Sequence, residues 1–72
     1  MERIEFALEG RPYIELIRLL KAVGIVPSGG AAKVAVESAL VRLDGVVEHR
    51  KRAKVRPGMV VEYLEFRIEV QA

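Results

Sequence analysis

Cysteine, threonine, asparagine and tryptophan are absent from this sequence, and His49 and Asp44 are its only histidine and aspartate. Without cysteine there are no disulfide staples and no thiolate metal ligands, so a reducing, cytoplasmic setting is expected. Serine hydroxyls are limited to Ser28 and Ser38. A Ser–His–Asp arrangement would have to draw on one of them together with His49 and Asp44. Asp44 is better used in a hairpin turn, and Ser28 in a helix cap. No His/Glu pair has ligand spacing, so neither a metal nor another cofactor is expected. With no acid–base constellation to build on, the chain reads as a non-enzyme. Long apolar runs are missing too. Nothing approaches the roughly 20 residues that cross a bilayer, and the acidic residues scattered through MERIEFALEG are unlike a signal peptide. Aromatics are scarce: Phe6, Tyr13, Tyr63 and Phe66 have core or edge explanations, which disfavours a stacking platform for single-stranded bases.

What is present is a 72-residue chain of which 51% is hydrophobic, spread along its length. That composition predicts one folded domain over 1–72, small enough to bury only about 60% of its unfolded surface. The net charge is only +2, but it is unevenly distributed. Residues 28–56 hold seven cations (Lys33, Arg42, Arg50, Lys51, Arg52, Lys54, Arg56) against Glu37, Asp44 and Glu48. A segregated field of this kind can steer one face toward a polyanion.

The hydrophobic pattern predicts an α+β fold. Ile4, Phe6 and Leu8 alternate with Arg3, Glu5 and Glu9, the signature of a half-buried strand that Gly10 interrupts. Pro12 suits a first helical position, and Tyr13, Leu16, Ile17, Leu20 and Val23 follow at helical spacing. Gly24 suits the left-handed residue that ends the helix. Ser28 caps a second, shorter helix whose buried stripe is Ala32, Ala35, Val36 and Ala39. From Val41 the period becomes two. Asp44-Gly45 is the dipeptide of a tight hairpin turn, and Pro57-Gly58 marks another turn before strands at 59–63 and 66–70. The expected architecture is an N-terminal strand and a helix pair packed on a small antiparallel sheet, with Leu16, Ile17, Leu20, Ala35, Val36, Val41 and Leu43 in one core.

Two features carry the functional reading. Ser28, Gly29 and Gly30 open a helix, and glycines there let a phosphate approach the backbone N–H groups closely. The spacing of an NTPase phosphate loop is absent. A capped helix is also common in proteins that bind nothing at such a site. The segment Arg50, Lys51, Arg52, Lys54 and Arg56 has no intervening acid. Mutual repulsion of five cations has no evident offset within the segment, whereas a bound polyanion supplies one. Recognition of folded RNA by shape and phosphate position suits such a surface.

In their order and spacing these features resemble a known family. Ser28-Gly29-Gly30, Ala32-Lys33, Val41-x-Leu43-Asp44-Gly45, Glu48-x-Arg50, Arg52-x-Lys54 and Pro57-Gly58 are similar to the RNA-binding module first known from small-subunit ribosomal protein four. With Gly10-x-Pro12-Tyr13-Ile14-Glu15-Leu16 and Leu19-Leu20-Lys21, the resemblance extends to its small free-standing YbcJ-type bacterial subfamily. It implies the alpha-L arrangement of a helix pair on a sheet, with RNA held by the second helix and the following loop. Carried over by position, that assigns Ser28, Gly29, Gly30, Lys33, Arg50, Arg52 and Lys54 to RNA. Lys51 joins them on charge alone. Two positions depart from the pattern: Ala39 stands where the family usually has the helix-ending glycine, opening that turn to a different geometry. Met59 stands where an acidic turn cap is common. The expected ligand is structured RNA, with ribosomal RNA and ribosome association as candidates, and the expected state is a monomer. The competing reading is a protein-interaction module whose basic face docks an acidic partner. An anionic-membrane binder fits less well, because the cations lie between strands and not on an amphipathic helix.

Overall fold

A computed structural model describes residues 1–72. Its strands are β1 (Glu2–Ala7), β2 (Ile14–Glu15), β3 (Val41–Leu43), β4 (Val46–Val47), β5 (Lys54–Val55), β6 (Val60–Tyr63) and β7 (Phe66–Gln71), and its helices are α1 (Leu16–Ala22) and α2 (Gly29–Glu37). The alternating strands assemble a five-stranded sheet in the order β1-β7-β6-β3-β4, while β2 and β5 form a separate antiparallel pair. The main sheet is antiparallel except at one edge, where β1 runs parallel to β7 with Ile4 beside Ile68 and Phe6 beside Val70.

Because side chains alternate across a sheet, Val41, Val61, Ile68 and Val70 all point to one face. There they meet Leu16, Leu19 and Leu20 of α1 and Ala32, Ala35 and Val36 of α2 in a core of 15 buried residues, none polar or charged. The opposite face is open to solvent. Arg42, Glu62, Arg67 and Arg3 occupy consecutive registered positions across it, stitched by Arg67–Glu62 at 3.5 Å, Arg67–Glu69 at 3.4 Å and Arg3–Glu69 at 3.6 Å. This placement takes Arg42 out of the basic segment with which the sequence groups it.

The first helix begins later than its periodicity predicts. Pro12 and Tyr13 lie outside it, and Ile14–Glu15 pair instead with Val55 and Lys54. The amides of Leu16 and Ile17, orphaned at a helix start, donate to the carbonyls of Ala53 at 2.9 Å and Lys51 at 3.2 Å. Pairing with a distant segment has won over the local preference for proline at a first helical turn. Leu19, outside the expected stripe, is fully buried, while Ile17 and Leu43 only pack against the edge of the core.

The second helix starts as expected. Ser28 is extended and its Oγ accepts from the Ala31 N–H at 3.1 Å. Its end corrects the sequence reading, because Ala39 is exposed and takes no part in the buried stripe. Ala39 adopts φ 61°, with its N–H donating to the Val36 carbonyl and that of Leu40 to the Ala35 carbonyl. That is the two-bond closure which normally recruits glycine, formed here by an alanine. A left-handed alanine costs about 1–2 kcal/mol, partly offset because glycine loses more entropy on folding. Ala39→Gly should therefore stabilise the protein by about 0.5–1 kcal/mol, read as a higher urea midpoint. A lower midpoint would show that the turn is not strained.

Candidate nucleic-acid interface

Local chemistry builds each half of the site. At the start of α2 neither Gly29 nor Gly30 has a positive φ, so backbone conformation does not demand glycine. Packing does not demand it either. A Cβ on Gly29 would meet nothing within 4 Å, and one on Gly30 only the Ser28 Oγ at 3.8 Å. Glycine weakens a helix by roughly 1 kcal/mol relative to alanine, and here the interior of the protein gains nothing in return. One turn on, Lys33 is exposed and has no carboxylate partner. The Gly29 and Gly30 amides, at the positive end of the helix dipole, and Lys33 thus lie together on an open surface, while the Ala31 N–H is taken up by Ser28.

The second half is the connection from β4 to β5. Buried Ala53 and Val55 anchor it to the core, the β2–β5 pair ties it to the chain ahead of α1, and the carbonyls of Lys51 and Ala53 cap that helix. Between these anchors Arg50, Arg52 and Lys54 project into solvent. The unrelieved repulsion expected from the sequence is partly relieved by two acids. Lys51 Nζ lies 3.1 Å from Glu37 Oε2, at the far end of α2, and Glu48 holds Arg50. Arg52 has no carboxylate partner, whereas Lys54 and Arg56 lie 5.1 Å and 5.8 Å from the centre of the Tyr13 ring, in cation–π range.

The grip of Glu48 on Arg50 is a fork. Arg50 Nε and Nη2 donate to its two oxygens at 3.1 and 3.2 Å, and the Arg50 backbone N–H donates at 3.0 Å. These bonds, the side-chain pair foremost, hold the Glu48 carboxyl below the usual carboxylate range. For a depressed carboxyl, the associated stability is fully present above the unfolded value of about 4.3 and is lost as pH falls through the lower folded value. A carboxyl NMR titration should therefore place the Glu48 midpoint below that of free glutamate, and Arg50→Ala should return it upward. An unshifted Glu48 would mean that the fork does not persist in solution.

The turns framing the loop follow the sequence. Asp44 and Gly45 have φ 50° and 83°, as the hairpin dipeptide requires, and Asp44 Oδ1 also accepts from the Val60 N–H at 2.9 Å. At Pro57-Gly58 the cap expected to be lost is replaced, because the Met59 sulfur lies 3.3 Å from the Arg56 N–H. Glu48 and Tyr13, neither of which reads as a site residue from sequence, emerge as supports of the loop. The Glu48-x-Arg50 spacing was a signal for the first; only the tertiary pairing of β2 with β5 reveals the second.

Residues 6–71 match the model of a family described as the S4 domain. The chain is 40% identical over 67 residues to the Escherichia coli protein described as "Putative RNA-binding protein YbcJ", covering 93% of this chain and 96% of the other. A YbcJ of Shigella flexneri matches to the same extent. The solution structure of Escherichia coli YbcJ, described as revealing an alpha-L motif involved in RNA binding, superposes with a TM-score of 0.75 over 94% of this chain and 86% of that one.

Proposed function

This chain belongs to the S4 domain family, and we propose that it is a non-catalytic module that binds structured RNA through the start of α2 and the loop from Arg50 to Lys54. Ribosomal RNA is the first candidate to test. The observation that carries the reading is the pair Gly29 and Gly30, which serves neither backbone conformation nor packing and lies beside uncompensated Lys33. In this reading the glycine amides and the Ser28–Lys33 turn receive one or two phosphates. Arg50, Lys51, Arg52 and Lys54 neutralise others along the RNA backbone. Such contacts fix position and register without reading sequence, which suits a ligand recognised by shape.

Gly30→Val tests this directly. The substitution should not lower the melting temperature, since valine is a slightly better helix former than glycine and its Cβ would meet only the Ser28 Oγ, at 3.8 Å. It should weaken RNA binding on the order of ten-fold, the loss of one charge-assisted bond. Equal affinity for both proteins would remove the helix start from the site. Loss of fold in step with loss of binding would give the glycine a structural role instead. A single saturable acidic protein partner, with no RNA affinity at low salt, would replace RNA as the ligand class.

A further inference from the structure

An open groove runs from the segment ahead of α1 along that helix to the start of α2. Among its ten lining residues, four of them hydrophobic, the charged ones are Arg11, Glu15, Arg18 and Lys21, and Tyr13 and Gly29 also border it. Three of these are cations and one is an acid, and the acid is only loosely engaged, with Glu15 Oε1 4.0 Å from Arg18 Nε. Arg11 is fixed by a 2.8 Å bond from Nε to the Leu8 carbonyl, and its guanidinium carbon lies 5.6 Å from the Phe6 ring centre. Lys21 has no carboxylate partner. One end of the groove reaches Gly29, on the proposed RNA site. Tyr13 brings in the loop, since its ring lies against Lys54 and Arg56. The groove therefore connects the two halves of that site by a route that neither half requires.

We infer that this groove is a track for an unpaired RNA strand continuing from the structured element, with Arg18 and Lys21 taking its phosphates. Tyr13 is a positioning residue that keeps Lys54 and Arg56 at the lip. This rests on the reading of RNA as the ligand. Bending a duplex to follow a groove costs on the order of 1–6 kcal/mol, whereas an unpaired strand bends at little cost and can lay its backbone along the groove.

The test uses the full chain and two probes, a blunt RNA hairpin and the same hairpin with a short single-stranded uridine tail. The intact protein should bind the tailed probe on the order of ten-fold more tightly at low salt, with a salt slope steeper by about 0.7 for each further phosphate that is neutralised. In R18Q/K21Q the ratio of the two affinities should fall toward one. Y13F, which keeps the ring, should preserve the tail's contribution and Y13L should reduce it. Equal behaviour of Y13F and Y13L takes Tyr13 out of the track. A wild type that binds the hairpin but gains nothing from the tail overturns the groove alone, as does a gain that survives R18Q/K21Q intact. Failure to bind either probe overturns the RNA reading, and the groove with it.

Discussion

Neutralising Arg50, Arg52 and Lys54 together, each to glutamine, should weaken binding to structured RNA by roughly 30- to 100-fold at low salt. The loss should be similar across RNAs of different sequence, because phosphate contacts carry no sequence information. The salt slope should flatten by about 0.9 for each phosphate left without its cation. The fork with Glu48 already occupies one edge of the Arg50 guanidinium, so the expected change is nearer two units than three. Stability should hardly move, since exposed charges contribute little to folding. A matched control removes Arg3, Arg42 and Arg67, which lie in one row on the outer face of the sheet among Glu62 and Glu69. Equal losses from the two triples would mean that net charge alone governs binding.

Leu20→Ala should act on the fold instead. Leu20 is fully buried in the core cluster. Removing its isobutyl group costs about 2–5 kcal/mol, the transfer term plus the cavity left behind. At roughly 0.05–0.15 kcal/mol per residue, total stability here is about 4–11 kcal/mol, so the variant should lose a large share of it and unfold at a much lower urea concentration. Urea denaturation checks this, and an unchanged midpoint would place Leu20 outside the core.

The parts of the fold legible in the sequence are those governed by neighbours a few residues apart. The Ser28 cap, the left-handed Gly24, the Asp44-Gly45 turn and the alternation of Phe66, Ile68 and Val70 all appear where local chemistry puts them. What escaped depends on segments far apart in the chain. The β2–β5 pair draws Ile14 and Glu15 out of the helix that their periodicity suggests. The parallel alignment of β1 with β7 leaves no trace in either strand alone. Ala39 misled for a different reason. Its spacing fits the buried stripe, but the two-bond closure of α2 needs a left-handed residue there.

The candidate site divides in the same way. Its residue types were legible, because glycines at a capped helix start and a run of cations are local patterns. Its electrostatics were not. Glu37 and Lys51 meet only because the loop folds back along α2, and Tyr13 reaches Lys54 and Arg56 only through the β2–β5 pairing. Counting charges along the chain therefore overstates the free positive charge of the loop. It misses the surface that joins the loop to the helix.

The most direct test of the central claim is an amide NMR titration of the intact protein with a structured RNA. The largest shifts should fall on Gly29, Gly30 and Lys33 and on the loop from Arg50 to Lys54. Amides of Arg3, Glu62 and Arg67 on the outer sheet face should stay silent. Dominant shifts on that outer face, or a spectrum unmoved by RNA at low salt, would contradict it.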